Sequence, residues 1–385
     1  MKYYLVGGAV RDLLLGKKPR EYDYSLDQEA FEYIMLKENS RKVGKSYEIC
    51  IENGIEYSRL RGNDIYVDLL ERDLTINALA LDGEGRIYAH PQALNDLKNK
   101  ILAPCSELSF KQDPVRVYRA ARFHATFPDF SLSKTACLLM AQERFCGSLE
   151  YIAAEQLCNE TIKALNSKKP GNFLRGMLKG QVLTPWFKEL EGADDIPAGP
   201  VKYHNSSVLE HTATVMDSIS KDIENNMLLF KTIEEKFEVK TLAVWMGLCH
   251  DLGKTTTDKE LLPRHFGHEL RGINLAIALG TRLKMPTKFI KAGEIAVKLH
   301  TKAALYSQLR SGTKVKLLTE LHYHNLLRPF LYLLHADSGL DLSEEIQRDL
   351  HEILAVKLPD QYQNQGKKSG EMLQQLRILA LNKSN

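Results

Sequence analysis

Leu5-Val6-Gly7-Gly8-Ala9-Val10-Arg11-Asp12, followed by Leu13-Leu14-Leu15-Gly16 and then Glu21-Tyr22-Asp23, decides the reading of the whole chain. Tyr3 to Val6 reads as a short apolar strand. Gly7 and Gly8 let the backbone turn sharply and approach a ligand, because no Cβ stands in the way. Ala9 to Leu15 suits the opening turns of a helix whose N-terminal amides point back at that turn. With Arg11 nearby, this makes a pocket for an anion. Glu21 and Asp23 are two residues apart, a spacing that puts both carboxylates on one face of a strand. Adjacent carboxylates repel unless a cation lies between them, so the pair reads as a divalent-metal site beside a phosphate site. Alone, a Gly-Gly is usually a turn and an acidic pair usually a solvated face. In this order, within 17 residues, they are far more specific.

Composition bounds the remainder. A chain of 385 residues holds two or three domains with ample core. Hydrophobic content of 44% and charged content of 26% are those of an ordinary globular protein, and a net charge of +3 does not demand a nucleic-acid partner. Six cysteines without CxxC spacing read as reduced thiols rather than a disulfide frame or zinc knuckle. The start of the chain enters strand and motif directly, and no apolar run approaches about 18 residues, so neither a signal peptide nor a membrane span is expected. The expected location is cytoplasmic.

The opening signature resembles that of the polymerase-β nucleotidyltransferase superfamily. It resembles in particular the GGxxRDxLLG…DxD motif of tRNA nucleotidyltransferases and bacterial poly(A) polymerases. The resemblance implies Glu21 and Asp23 as catalytic, metal-holding acids, and Gly8 and Arg11 at the nucleotide. Ile49 to Ile51, Glu56 to Leu60 and Ile65 to Val67 alternate at period two, with Asn53-Gly54 as a hairpin turn. If the strand bearing Glu56 neighbours that of Asp23, Glu56 becomes the third acid of a two-metal site; in the family that acid lies five residues before an arginine, here Arg61.

Glu71 to Ala78 resembles the family's RRDxxxNA motif, which implies nucleotide contacts for Arg72, Asp73 and Asn77. Glu71 replaces its first arginine and is expected to face elsewhere. His90 to Leu97 reads as a structural hinge. At Gln112-Asp113-Pro114, Asp113 suits a helix N-cap and Pro114 the N1 position, and Arg116, Arg119 and Arg122 then form one basic face. This resembles the EDxxR…RxxRF stretch, in which the Asp and Arg, here Asp113 and Arg116, read the base. A carboxylate accepts from the exocyclic amine of C or A while the guanidinium donates to the neighbouring ring atom. Gln112 replaces the motif's acid, and Gln156 replaces the arginine of its ERxxxE helix.

Nine of the twelve histidines fall between 204 and 335. An adjacent His-Asp pair must converge on something, and nitrogen and oxygen donors on separate helices suit a transition metal or Mg²⁺. The pattern resembles the HD phosphohydrolase superfamily. It implies His211, His250, Asp251 and Asp337 as metal ligands, Lys254, His265 and His300 as phosphate or supporting groups, and metal-assisted hydrolysis of phosphoesters such as 2′,3′-cyclic phosphates.

The expected fold is α+β: a polymerase-β-like head (1–100), an all-α neck and body (101–195), an all-α HD domain (196–345) and a polar helical tail (346–385). Gly192 to Pro200 reads as a linker. The resemblance implies a class II tRNA nucleotidyltransferase that uses Mg²⁺, CTP and ATP on the tRNA 3′ end. Two alternatives stay open. One is a weakly active RNA-binding head joined to a working phosphohydrolase. The other is a partial enzyme adding only CC or A, because just ten residues, partly strand-like, separate Arg61 from Arg72, where CCA-completing relatives carry a longer flexible loop.

Overall fold

The computed structural model describes residues 1–19, 21–37, 40–43, 49–202 and 205–384. They form two compact units, the first comprising 1–156 with 176–185 and the second 157–175 with 186–385.

The first unit carries a sheet of seven strands among the described residues, in the order β3-β4-β5-β2-β1-β6-β7. The strands are β1 (Tyr3–Val6), β2 (Asp23–Leu26), β3 (Ser40–Val43), β4 (Ile49–Glu52), β5 (Ile55–Arg59), β6 (Leu79–Asp82) and β7 (Ile87–Ala89). Neighbours are antiparallel except β2 and β5, which run parallel with Asp23 opposite Glu56. Asn53 and Gly54 both take positive φ between β4 and β5, as a two-residue hairpin requires. Gly7, at φ 71, turns the chain from β1 into helix α1 (Gly8–Leu14), whose Ala9 and Val10 pack with Leu5 and Leu79. Helix α2 (Gln28–Met35) is capped by Asp27, whose carboxylate accepts from the Ala30 amide, and its Ala30 and Phe31 pack with Leu26 and Cys50.

One expected strand is a helix. Ile65 to Val67 lies in α3 (Ile65–Leu70), not in a strand. The Asp64 carboxylate accepts from the Tyr66 amide, and Ile65, Asp68 and Leu69 are buried while Tyr66, Val67 and Leu70 are exposed. That is helical spacing; the β-branched residues gave a misleading period-two signal. Helix α4 (Val115–Thr126) buries Val117, Tyr118, Ala120 and Ala121, leaving Arg116, Arg119 and Arg122 half-buried on its other side. Asp113 does not cap it: no side chain accepts from its first turn, and the Asp113 carboxylate lies instead 3.7 Å from Arg116 Nε.

The second unit is helical: α5 (Val208–Asn225), α6 (Ile233–Cys249), α7 (His268–Arg282), α8 (Thr287–Ala303), α9 (Ser311–Tyr323), α10 (Leu327–Ser338), α11 (Ser343–Ala355) and α12 (Lys367–Ser384). From Lys240 to Cys249 every residue of α6 is buried, which makes it the central helix. A fully buried indole needs a hydrogen-bond partner, and Trp245 Nε1 donates to the Phe289 carbonyl at 2.7 Å. Gly192 to Pro200 is tied down rather than loose: Ala198 N donates to Ser206 O at 2.9 Å and Val208 N to Ile196 O at 2.7 Å. The polar tail also folds onto the unit, with Leu381 of α12 fully buried and Asp349 of α11 accepting from Tyr306 and Lys314. All six cysteines are free thiols. Among the described residues no helix is long and apolar enough to cross a membrane.

Candidate functional sites

In the first unit the decisive feature is register. Asp23 and Glu56 are partners on adjacent parallel strands, and two residues on, Ser25 and Ser58 are partners with hydroxyls 3.1 Å apart. Alternation along a strand puts both pairs on one sheet face. Arg72 reaches that face from the end of α3: its Nη2 donates to Ser25 Oγ at 3.1 Å, and Asp68 Oδ2 fixes it from behind at 2.8 Å. A Cβ on Gly7 would lie 3.2 Å from the same guanidinium, so that position favours glycine by space as well as by φ. Glu21 lies exposed, two residues before β2 begins. Among the described residues the three acids are not drawn into a tight ligand cluster.

Around the Gly-Gly turn runs a continuous polar chain. Arg11, buried and 4.5 Å from the Phe127 ring centroid, donates to Asn77 Oδ1 and to Asp12. Asn77 Nδ2 donates to Asp73 Oδ1 at 3.2 Å, and Asp73 Oδ2 accepts from Arg119 Nε and Nη2 at 2.9 and 2.8 Å. Burial works to raise the Asp73 pKa, but the Arg119 charge and the hydrogen bonds from Asn77 and Leu74 hold it well below the usual carboxylate range. Arg116 Nη1 donates to the Ser109 carbonyl at 3.1 Å, while the Ser109 hydroxyl donates to the Asp73 carbonyl. Burial lowers the Arg116 pKa. Arg122 lies 4.1 Å from the Phe123 ring centroid. Glu71 turns toward Arg61, 3.7 Å away. His90 and Asp96 brace the fold, the first against the Cys105 carbonyl and the second accepting from Thr75.

The second unit gathers a denser cluster around Asp251, which is 1% exposed. His211 Nε2 lies 3.4 Å and His250 Nε2 3.2 Å from Asp251 Oδ2, with Asp337 Oδ1 3.1 Å from His211 and 3.5 Å from His250. On the other side, His268 Nε2 and His300 Nε2 each lie 3.5 Å from Asp251 Oδ1. Five elements supply these groups: the first turn of α5, the turn after α6, the start of α7, and the last turns of α8 and α10. Gly253 makes their convergence possible, since a Cβ there would fall 1.8 Å from the His268 carbonyl.

The orientation of the rings is informative. His250, His268 and His300 each turn Nδ1 to a backbone carbonyl, of Gly247, His265 and Ala296, at 2.8–2.9 Å. Such a bond holds Nδ1 as the donor and leaves Nε2 facing Asp251, the orientation of metal-ligating histidines, in which a metal takes the place of the Nε2 proton. Asp251 is thus faced by four imidazole Nε2 atoms at 3.2–3.5 Å and by Lys254 Nζ at 2.7 Å, and against the effect of burial these cationic groups together hold its pKa well below the usual carboxylate range. Burial opposes a charged His250, yet Asp251 and Asp337 push its pKa up to about 10. Two three-donor groups share Asp251, namely His211-His250-Asp251 and Asp251-His268-His300. The sequence pattern did not single out His268 as a ligand, and placed His300 only in support; their shared sign was position, each next to a helix end. His265 stands apart, spending one ring nitrogen on the Pro197 carbonyl and the other on Thr257, both at 2.8 Å. It anchors the loop over the cluster, and Lys254 adds a second anchor at the Ala198 carbonyl, 2.9 Å away.

Comparison with known proteins places the chain in a family. The poly A polymerase head domain matches residues 3–56, the segment that carries the Gly-Gly turn and the Asp23–Glu56 pair. The multifunctional CCA protein of Haemophilus influenzae (strain PittGG) is 33% identical over 340 residues, covering 82% of this chain and 79% of the relative. The chain belongs to the multifunctional CCA protein family. A multifunctional CCA protein of Acinetobacter baumannii (strain AYE) is 32% identical and matches 99% of this chain and 97% of its own. In fold, the chain is similar to an apo CCA-adding enzyme, with a TM-score of 0.64 at 23% identity over 99% of this chain and 86% of that one. It is also similar to a Thermotoga maritima CCA-adding enzyme complexed with tRNA, with a TM-score of 0.63 at 21% identity over 100% and 92%. The α+β architecture with a polymerase-type head is thus that of CCA-adding enzymes.

Proposed function

We propose that this multifunctional CCA protein is a tRNA nucleotidyltransferase adding CMP, CMP and AMP from CTP and ATP to the tRNA 3′ end, with a separate HD-type phosphohydrolase centre. The observation that carries the first half is the Asp23–Glu56 register beside the Gly7-Gly8 turn. Two carboxylates on one sheet face fit a divalent cation, and Glu21, Asp23 and Glu56 would hold Mg²⁺. There it would supply charge stabilisation for the triphosphate and acidify the attacking hydroxyl. Arg11, Asn77, Asp73 and Arg119 form the rigid frame, with Gly8 giving backbone access to the phosphates and Arg72 and Arg122 adding positive charge. Asp113 and Arg116 read the base: Asp113 accepts from the amine of C or A, and Arg116, braced by Ser109, donates beside it. Guanine and uracil present the wrong polarity there and leave these groups unpaired.

For the second centre, the two carboxylates and the inward Nε2 atoms, gathered in two three-donor groups that share Asp251, fit divalent metal. His211, His250, Asp251 and Asp337 would hold one ion, and Asp251, His268 and His300 a second. Such ions supply Lewis acidity toward a phosphoester such as a 2′,3′-cyclic phosphate. The surrounding helices fix the rings, and the loop tethered by Lys254 and His265 shields one side.

One observation favours a narrower reading of the head. Gly62 to Glu71, between Arg61 and Arg72, is taken up by a short turn and α3, which leaves little chain to act as a lever when the pocket must change from C to A. The test is tRNA lacking CCA, incubated with CTP, ATP and Mg²⁺ and resolved nucleotide by nucleotide. Full CCA product supports complete addition, a stop after CC supports the narrower activity, and absence of any CTP incorporation refutes both.

A further inference from the structure

The second unit also holds a half-open pocket of about 680 Å³ lined by α8, α9 and α12, none of whose lining residues belongs to either centre. Its walls are apolar in part, through Leu299, Val315 and Leu373, but its charge is unbalanced. Lys298 is matched by Glu320 at 2.9 Å. Lys302, Lys316 and Arg377 also line the cavity, and none of them has a carboxylate within ion-pair distance among the described residues. Arg377 is the telling one. Its Nε donates to the Ile353 carbonyl at 3.1 Å, and burial lowers its pKa with no acid to offset the loss of water. A half-buried guanidinium without a counter-ion is costly, and beside a cavity it marks a place for an anion. At the rim Tyr323 is 79% exposed, with its ring centroid 4.9 Å from that of His324. An exposed aromatic beside cations is the pairing that holds a base by its face and a phosphate by its charge.

We infer that this cavity is a nucleotide-binding site distinct from the head, with Arg377, Lys302 and Lys316 holding the phosphate and Tyr323 stacking the base. A half-open pocket of this volume lined by three helices suits one nucleotide, either free or as a single unpaired residue of an RNA. The inference is independent of the activity proposed above, since none of these residues belongs to either centre.

The test is photolabelling of the full chain with 8-azido-ATP, read by peptide mapping so that the head and the cavity are scored separately. Label is expected in peptides covering 298–324 or 367–377. Lys302→Glu with Lys316→Glu, both at exposed positions, should cut that label at least about tenfold while head labelling stays unchanged. Arg377→Gln should do the same, with circular dichroism confirming the fold. Competition by AMP at lower concentration than a single-stranded RNA decamer identifies a free nucleotide as the ligand, and the reverse order identifies RNA. No label in those peptides, label indifferent to charge reversal, or competition by neither probe would overturn the inference.

Discussion

Replacing Asp73 with asparagine tests the polar chain at its middle. The carboxylate accepts from four donors: the Leu74 amide at 2.8 Å and Asn77 Nδ2 at 3.2 Å on one oxygen, and Arg119 Nε and Nη2 at 2.9 and 2.8 Å on the other. An amide keeps the shape but must turn its NH₂ toward one pair of donors, so half of the set is lost whichever way it lies. Breaking a buried ion pair costs roughly 3–5 kcal/mol, but Arg119 is 35% exposed and partly screened by water. We therefore expect Asp73→Asn to destabilise the first unit by about 2–3 kcal/mol at pH 7. Both tryptophans lie in the second unit, so fluorescence would report the wrong part of the molecule. Hydrogen exchange of peptides covering 74–82 reads the right one. The pH dependence supplies the sign. The Asp73 pKa is depressed in the folded chain, so its contribution is fully present above the unfolded value of 3.8 and is lost as pH falls toward the folded one. The gap between wild type and variant should hold from pH 7 to 5 and narrow by about 0.6 kcal/mol by pH 3.5. A gap below about 0.5 kcal/mol at pH 7, or one that does not narrow in acid, would refute the reasoning.

Three further outcomes are expected. Asp23→Ala should abolish nucleotide addition while sparing fold and tRNA binding; activity within about tenfold of wild type would remove Asp23 from the catalytic acids. His250→Ala with Asp251→Ala should end hydrolysis of 2′,3′-cyclic substrates with little effect on CTP addition, and equal loss of addition at unchanged stability would sink the two-centre reading. His268→Ala with His300→Ala should lower bound metal by one ion per chain, measured by elemental analysis after manganese loading; unchanged stoichiometry would take these two histidines out of the ligand set.

The sequence alone determined the local chemistry. Gly7-Gly8 required a positive φ at the end of a strand, Asn53-Gly54 required a hairpin, and both are there because backbone sterics act within a few residues. It also pointed to the family, because the Gly-Gly turn and the acids at 21 and 23 lie within one short stretch of chain. Only the tertiary structure decided three things. Asp23 meets Glu56 because β2 and β5 pair in parallel, a choice made by the whole sheet rather than by either strand. Ile65 to Leu70 is a helix because burial of Ile65, Asp68 and Leu69 outweighs β-propensity, which is itself largely a statement about packing. His268, 17 residues after Asp251, reaches that carboxylate because Gly253 lets the two backbones nearly touch, and His300, 49 residues after it, is brought in by α8 packing along α7. Contacts over such distances depend on how helices pack, and no window along the chain contains that information.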